Sequence, residues 1–190
     1  MKKIFFKVIT LITIFLTCLL MYNNICIPII PDRKIIIASK FCKKYNLNTD
    51  YCIFVDFSKH PGKKRYVIYN LNDKRIEYSS VCANGLNKNE FSNVEGSHLS
   101  SLGKYKVSSI ITKMRIGEEG LIIEGLESTN NNARKREILI HSYKDVYYNP
   151  GTYPFNFFGK NLSWGCFVVD KKAFKMTKNI SKPILLWAYK

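Results

Sequence analysis

The sequence predicts a mainly β domain with few short helices, preceded by an N-terminal hydrophobic helix, and three observations carry that reading. From residue 51 onward, short runs rich in β-branched and aromatic residues alternate with turn residues. Only 32–45 and 170–180 show sustained helical spacing after the first thirty positions. Before them lies an uninterrupted apolar run with a positive start.

Composition sets the outer limits. The chain has 190 residues, 46% of them hydrophobic and 14% aromatic, which excludes a disordered chain too poor in apolar surface to offset its ordering entropy. This length accommodates one ordinary domain and scarcely two. Six Cys are too sparse for a disulfide scaffold. The net charge of +16 is weak evidence about partners, because abundant Lys, Asn and Ile together point to compositional bias. A basic surface suits an anionic polymer, although salt screens most of that attraction. No recognisable nucleic-acid motif accompanies the charge, so no nucleic-acid partner is expected.

Residues 1–31 read as a signal peptide or signal anchor. Lys2, Lys3 and Lys7 precede the 14-residue apolar run 8–21, VITLITIFLTCLLM, and no charged residue follows Lys7 until Asp32. That run is short for a membrane span, but 22–30 (YNNICIPII) extends it toward the roughly 20 residues a bilayer needs. Without a small-x-small cleavage site, an uncleaved anchor is favoured, and the expected location is the periplasmic or extracytoplasmic face. The competing reading is a buried core helix. Export allows disulfides among Cys42, Cys52, Cys82 and Cys166, with Cys42–Cys52 a candidate pair whose connectivity spacing leaves open.

Residues 32–50 read as a helical linker and 51–190 as a β-rich domain. In 32–45, Ile36, Ile37 and Phe41 stand among lysines, as in an amphipathic helix. Strands follow at 52–57 (CIFVDF) and 65–71 (RYVIYNL), and Asn72-Asp73-Lys74 turns the chain into a returning arm at 75–83. Further strands are expected at 103–112, 121–126 and 137–141. Residues 170–180 form a helix stopped by Pro183, and 184–189 (ILLWAY) form a last buried strand.

Candidate chemistry centres on a histidine and a cysteine. His60 precedes Pro61-Gly62 in a lysine-rich turn, and His98 lies in a Ser-rich loop. His141 ends the apolar run 137–141, where a sheet can hand a side chain to a cleft; taken alone, it reads first as a simple hydrogen-bonded His at a strand end. Cys166, in Ser163-Trp164-Gly165-Cys166, follows a loop rich in Gly, Asn, Phe and Pro and precedes Phe167-Val168-Val169. A free thiol with a pKa near 8.5 is only a few per cent thiolate at neutral pH, and an imidazole that takes its proton leaves a strong nucleophile. Gly165 lets a carbonyl substrate approach backbone N–H groups able to hold an oxyanion. Ser163 is a polar support for His141 or the loop. No C-x-x-C or H-x-x-x-H spacing points to zinc.

His141-Ser142 followed by Ser163-Trp164-Gly165-Cys166 resembles the YkuD-type L,D-transpeptidase pattern, a His on a strand and then a Ser-x-Gly-Cys loop. Phe91-Ser92-Asn93, Gly96-Ser97, Ser100-Ser101-Leu102-Gly103, Gly125-Leu126-Glu127 and the NNNARKR stretch at 130–136 resemble its murein L,D-transpeptidase branch. The resemblance covers about 51–169. It implies a β-sandwich-like catalytic domain with the Cys loop at one edge, acting on peptidoglycan tetrapeptide stems. Cys166 is then the nucleophile, His141 the base and acid, Ser163 a support, and Gly165 part of the oxyanion region. Trp164, Ser142, Arg134, Arg136, Ser97, Ser101 and Asn84 are expected to contact substrate, and no metal or organic cofactor is implied. Ser97, Ser100 and Ser101 read equally as a tight turn, Arg134 and Arg136 as a solvated one, and Asn130 to Asn132 as caps of a helical turn. Three departures bear on specificity. Trp164 replaces the pattern's common His, Val168 stands where an Arg is common, and Asn84-Gly85 replaces His-Gly. Other readings are a peptidoglycan-binding module without turnover and a carboxypeptidase that only hydrolyses.

Overall fold

A computed structural model describes residues 2–25, 28–87, 89–114, 119–142, 163–181 and 183–190. The Gly-, Asn-, Phe- and Pro-rich loop before Ser163, and Cys26, lie outside the described residues.

Helix α1 (Lys2–Ile25) is followed by α2 (Asp32–Lys44), β1 (Tyr51–Asp56), β2 (Tyr66–Asn70), β3 (Arg75–Ser80) and β4 (Cys82–Ala83). Then come β5 (Gly103–Lys113), β6 (Glu119–Gly125), β7 (Leu139–Ser142), β8 (Phe167–Val169), α3 (Lys171–Asn179) and β9 (Ile184–Tyr189). Among the described residues the strands form one sheet in the order β3-β2-β1-β9-β5-β6-β7-β8-β4. Its two outermost members, β3 and β4, are separated in sequence by Val81 alone. One extended segment therefore pairs with β2 and then crosses to β8, so the sheet bends round on itself into a barrel-like sandwich. This crossing shields both edges from unwanted strand pairing.

Strand alternation explains the layers. In β1 and β9, Ile53, Val55, Ile184, Leu186 and Ala188 face the enclosed core, joined by Tyr105, Val107, Leu121, Ile123, Ile140 and Phe167. Their alternate neighbours Cys52, Phe54 and Leu185 face outward and are covered by Ala38 and Cys42 of α2. Burial on both faces is why these strands read as continuous apolar runs rather than alternating ones. Helix α3 inserts Ala173 and Phe174 into the enclosed core. Its start is capped by Asp170, whose carboxylate accepts the Ala173 N–H at 2.7 Å.

Arg65 is wholly buried at the crossing. Its Nε donates to the Cys82 carbonyl at 2.7 Å, and its Nη1 to the Lys59 carbonyl at 3.0 Å. Nη2 donates to Asn84 Oδ1 at 2.6 Å. A buried cation is tolerable only with such donors satisfied, so Arg65 ties β2 to the segment that changes partners.

The amphipathic helix and the expected strands lie where the sequence reading places them, within a residue or two. Glu137, expected in a strand, instead has φ 54°, and β7 begins at Leu139. Cys42, Cys52, Cys82 and Cys166 are free thiols, as is Cys18. The apolar N-terminal segment is not a core helix: Phe6, Leu11 and Phe15 of α1 are exposed. Its threonines satisfy themselves, with Thr10 and Thr13 donating to the Phe6 and Ile9 carbonyls. The expected membrane anchor gains no support, since among the described residues no helix is long and apolar enough to cross a membrane.

Candidate active site

Strands β7 and β8 run side by side in parallel, with Ile140 opposite Phe167 and His141 opposite Val168. Paired residues in a sheet point to the same face. Ile140 and Phe167 enter the enclosed core, so His141 and Val168 point to the outer face. Cys166, two residues before Val168, shares that face and packs with Val168, Val81 and Ala83.

His141 is 5% exposed, and its Nδ1 lies 3.0 Å from the Ser142 carbonyl. A carbonyl only accepts, so Nδ1 carries the proton and Nε2 is the basic nitrogen. The half-buried Cys166 thiol leans on the Glu137 carbonyl at 3.8 Å. Burial pushes its pKa above that of a free thiol; a backbone hydrogen bond from Leu139 and the Arg136 cation oppose the rise, and Glu137 adds to it. At rest this group is a thiol that needs a base.

The loop before Cys166 is held from both ends. Ser163 Oγ donates to the Cys166 carbonyl at 2.9 Å and accepts the Gly165 N–H at 3.2 Å. Gly165 has φ +112°, and an added Cβ would lie 2.8 Å from both Ile138 Cδ1 and the Leu99 carbonyl oxygen. Conformation and space thus both demand glycine. Ser100, fully buried, donates from Oγ to the Gly165 carbonyl at 3.0 Å and accepts the Gly85 N–H at the same distance. Gly85 has no room for a Cβ, which would collide with the His98 carbonyl. Three segments, 84–87, 92–101 and 163–166, therefore converge on the residue before the thiol.

The other sequence candidates divide by place. Trp164 is 72% exposed and meets His98 edge to face, with centroids 4.7 Å apart. Ser142 closes β7 and lends its carbonyl to His141. Ser97 Oγ donates to the Val94 carbonyl and accepts from Arg136 Nη2 at 3.3 Å. Arg136 also donates to the Ser92 carbonyl at 2.7 Å and to the Leu99 carbonyl. Arg134 is exposed. Ser101 is buried against the Tyr105 hydroxyl at 2.7 Å. Asn84 is buried too, its amide taken by Arg65 and the Asn87 carbonyl. Asn130, also buried, accepts the Glu127 N–H and donates to the Lys104 carbonyl, bracing the turn before β7. His60 accepts the Gly62 N–H within its turn.

Arg65 was not legible as part of this site, since an arginine opening an apolar strand reads as a surface charge. Its bond to Asn84 nonetheless anchors the segment that carries Gly85 to Ser100. Among the described residues no group of three His, Cys, Asp or Glu side chains is arranged to hold a metal.

A family model described as the L,D-transpeptidase catalytic domain matches residues 32–189. No curated protein matches the sequence. Among solved structures, an L,D-transpeptidase from Mycobacterium smegmatis aligns at 9% identity with a TM-score of 0.42, covering 74% of this chain and 59% of that one. An L,D-transpeptidase from Xylanimonas cellulosilytica aligns at 10% identity and a TM-score of 0.41, covering 73% and 60%. The helical cell shape determining protein Pgp2 from Campylobacter jejuni aligns at 13% identity and 0.45, covering 74% and 47%. The chain thus spans less than two thirds of the length of these structures.

Proposed function

The chain belongs to the L,D-transpeptidase catalytic domain family, and from that premise we propose that it performs cysteine-dependent acyl transfer on the tetrapeptide stems of peptidoglycan. The observation that supports the proposal is that Cys166 immediately precedes β8, which runs parallel to β7 with Val168 opposite His141. His141 Nε2 takes the thiol proton, and the Cys166 sulfur attacks the carbonyl at the L-centre of the stem's diamino acid. The tetrahedral intermediate collapses as the imidazolium returns that proton to the departing amine, releasing D-Ala and leaving a thioester. An amine of a neighbouring stem then attacks the thioester, loses its proton to His141 and forms the cross-link, while Cys166 leaves and is reprotonated. Water in place of that amine gives hydrolysis only.

Ser163 and Gly165 fix the loop that carries the sulfur, and exposed Trp164 and Arg134 are placed to meet the stem. Substrate and enzyme meet outside the cytoplasm in this reading, with α1 as the export segment.

Incubating the full chain with disaccharide-tetrapeptide tests the function. Release of D-Ala with a cross-linked dimer is expected, and Cys166→Ala should lower both by at least about a thousandfold. Binding of the muropeptide without any change in it would instead establish a binding module.

A further inference from the structure

The Arg136 head group reaches the backbone beneath the nucleophile. Its Nη2 lies 3.3 Å from where a Gly165 Cβ would sit, immediately before Cys166. The guanidinium donates to the Ser92 carbonyl, the Leu99 carbonyl and Ser97 Oγ. All three acceptors are neutral, so they fix the fork in place without cancelling its charge. Leu99 in turn touches the space left by Gly165, and Ser100 beside it holds the Gly165 carbonyl. A half-buried charge in such a setting is screened less by solvent than a surface one.

We propose that Arg136 is a positioning residue of the reaction: it locks the 92–99 loop against the nucleophile loop, and its fixed charge favours the Cys166 thiolate. This rests on Cys166 being the nucleophile. Among the described residues, Arg136 and a backbone hydrogen bond from Leu139 favour the anion, Glu137 and burial oppose it, and His141 is the base of the proposed mechanism. Tyr105 faces Arg136 from the core side. The role differs from the substrate contact expected of Arg136 because the fork's hydrogen bonds are made to the protein itself.

The test is the pH dependence of Cys166 alkylation by iodoacetamide in the full chain, read by peptide mapping so that Cys18 does not contribute. Arg136→Gln should raise the midpoint by about one unit, which is a tenfold loss of thiolate below it. Arg136→Lys should hold the midpoint, yet lose turnover because lysine cannot fork across the Ser92 and Leu99 carbonyls. A folded Arg136→Gln protein with an unchanged midpoint overturns the proposal. If that variant does not fold, Arg136→Lys decides, and a midpoint displaced by a unit overturns it. Alkylation needs no peptidoglycan, so an Arg136-dependent midpoint in a chain that leaves muropeptide untouched refutes the substrate reading and spares this one.

Discussion

Gly165 shows how one residue type can be required twice. Its φ of +112° is a conformation that L side chains rarely adopt, and the Leu99 carbonyl and Ile138 side chain occupy the space a methyl would need. Gly165→Ala must therefore move the loop that carries Cys166. Strain of this kind costs about 1–3 kcal/mol, and turnover should fall by about a hundredfold because a nucleophile displaced by 1 Å loses its alignment. Urea unfolding and the rate of D-Ala release check the two effects, and an alanine variant with unchanged turnover would show that the loop tolerates another path. Residue type, order and the family resemblance single out Cys166 and His141. The positive φ of Gly165 was not legible, because a sequence shows the glycine but not which neighbour crowds it. Nor was Arg65, whose charge signals the surface unless carbonyls that only the fold assembles surround it.

Long, doubly buried elements were the easiest to read. β1, β2 and β9 are apolar on both faces because α2 covers one side and the enclosed core the other. β8 has only three residues, Phe167–Val169, too few to show a period. The returning arm at 75–83 looked like one hairpin strand, yet it serves two partners, pairing with β2 through β3 and with β8 through β4. Long-range pairing decides that division, and local propensity carries no trace of it. Helix α3 depends on a local signal that is legible, its Asp170 cap. The cap joins the helix to the sheet, because the Asp170 N–H also donates to Ser80 Oγ and Tyr78 donates to its carboxylate. Asp170→Ala should lower stability by about 1–2 kcal/mol. The urea midpoint measures this, and a variant as stable as the parent would mean that α3 is held by Ala173 and Phe174 alone.

At the scale of the molecule, closure and chemistry share the same segment. The strand that crosses from β2 to β8 continues into Asn84 and Gly85, and Gly85 reaches Ser100, which holds the Gly165 carbonyl. The device that joins the two edges of the sheet thus also sets the position of the Cys166 loop. Buried Arg65 sits at the start of this path, donating to both Cys82 and Asn84. The proposed pair lies outside the enclosed core, His141 buried near the end of β7 and Cys166 half-buried just before β8. Mainly β architecture was legible from strand and turn composition, whereas the joining of its edges depended on which strands pair at long range.

The most direct test of the central claim is the intact mass of the full chain mixed with disaccharide-tetrapeptide and quenched within seconds in acid. A thiol mechanism predicts an adduct equal to the muropeptide minus D-Ala, mapped to the peptide containing Cys166 and lost in Cys166→Ala. D-Ala release that persists in Cys166→Ala, or an adduct mapped to another residue, would contradict it.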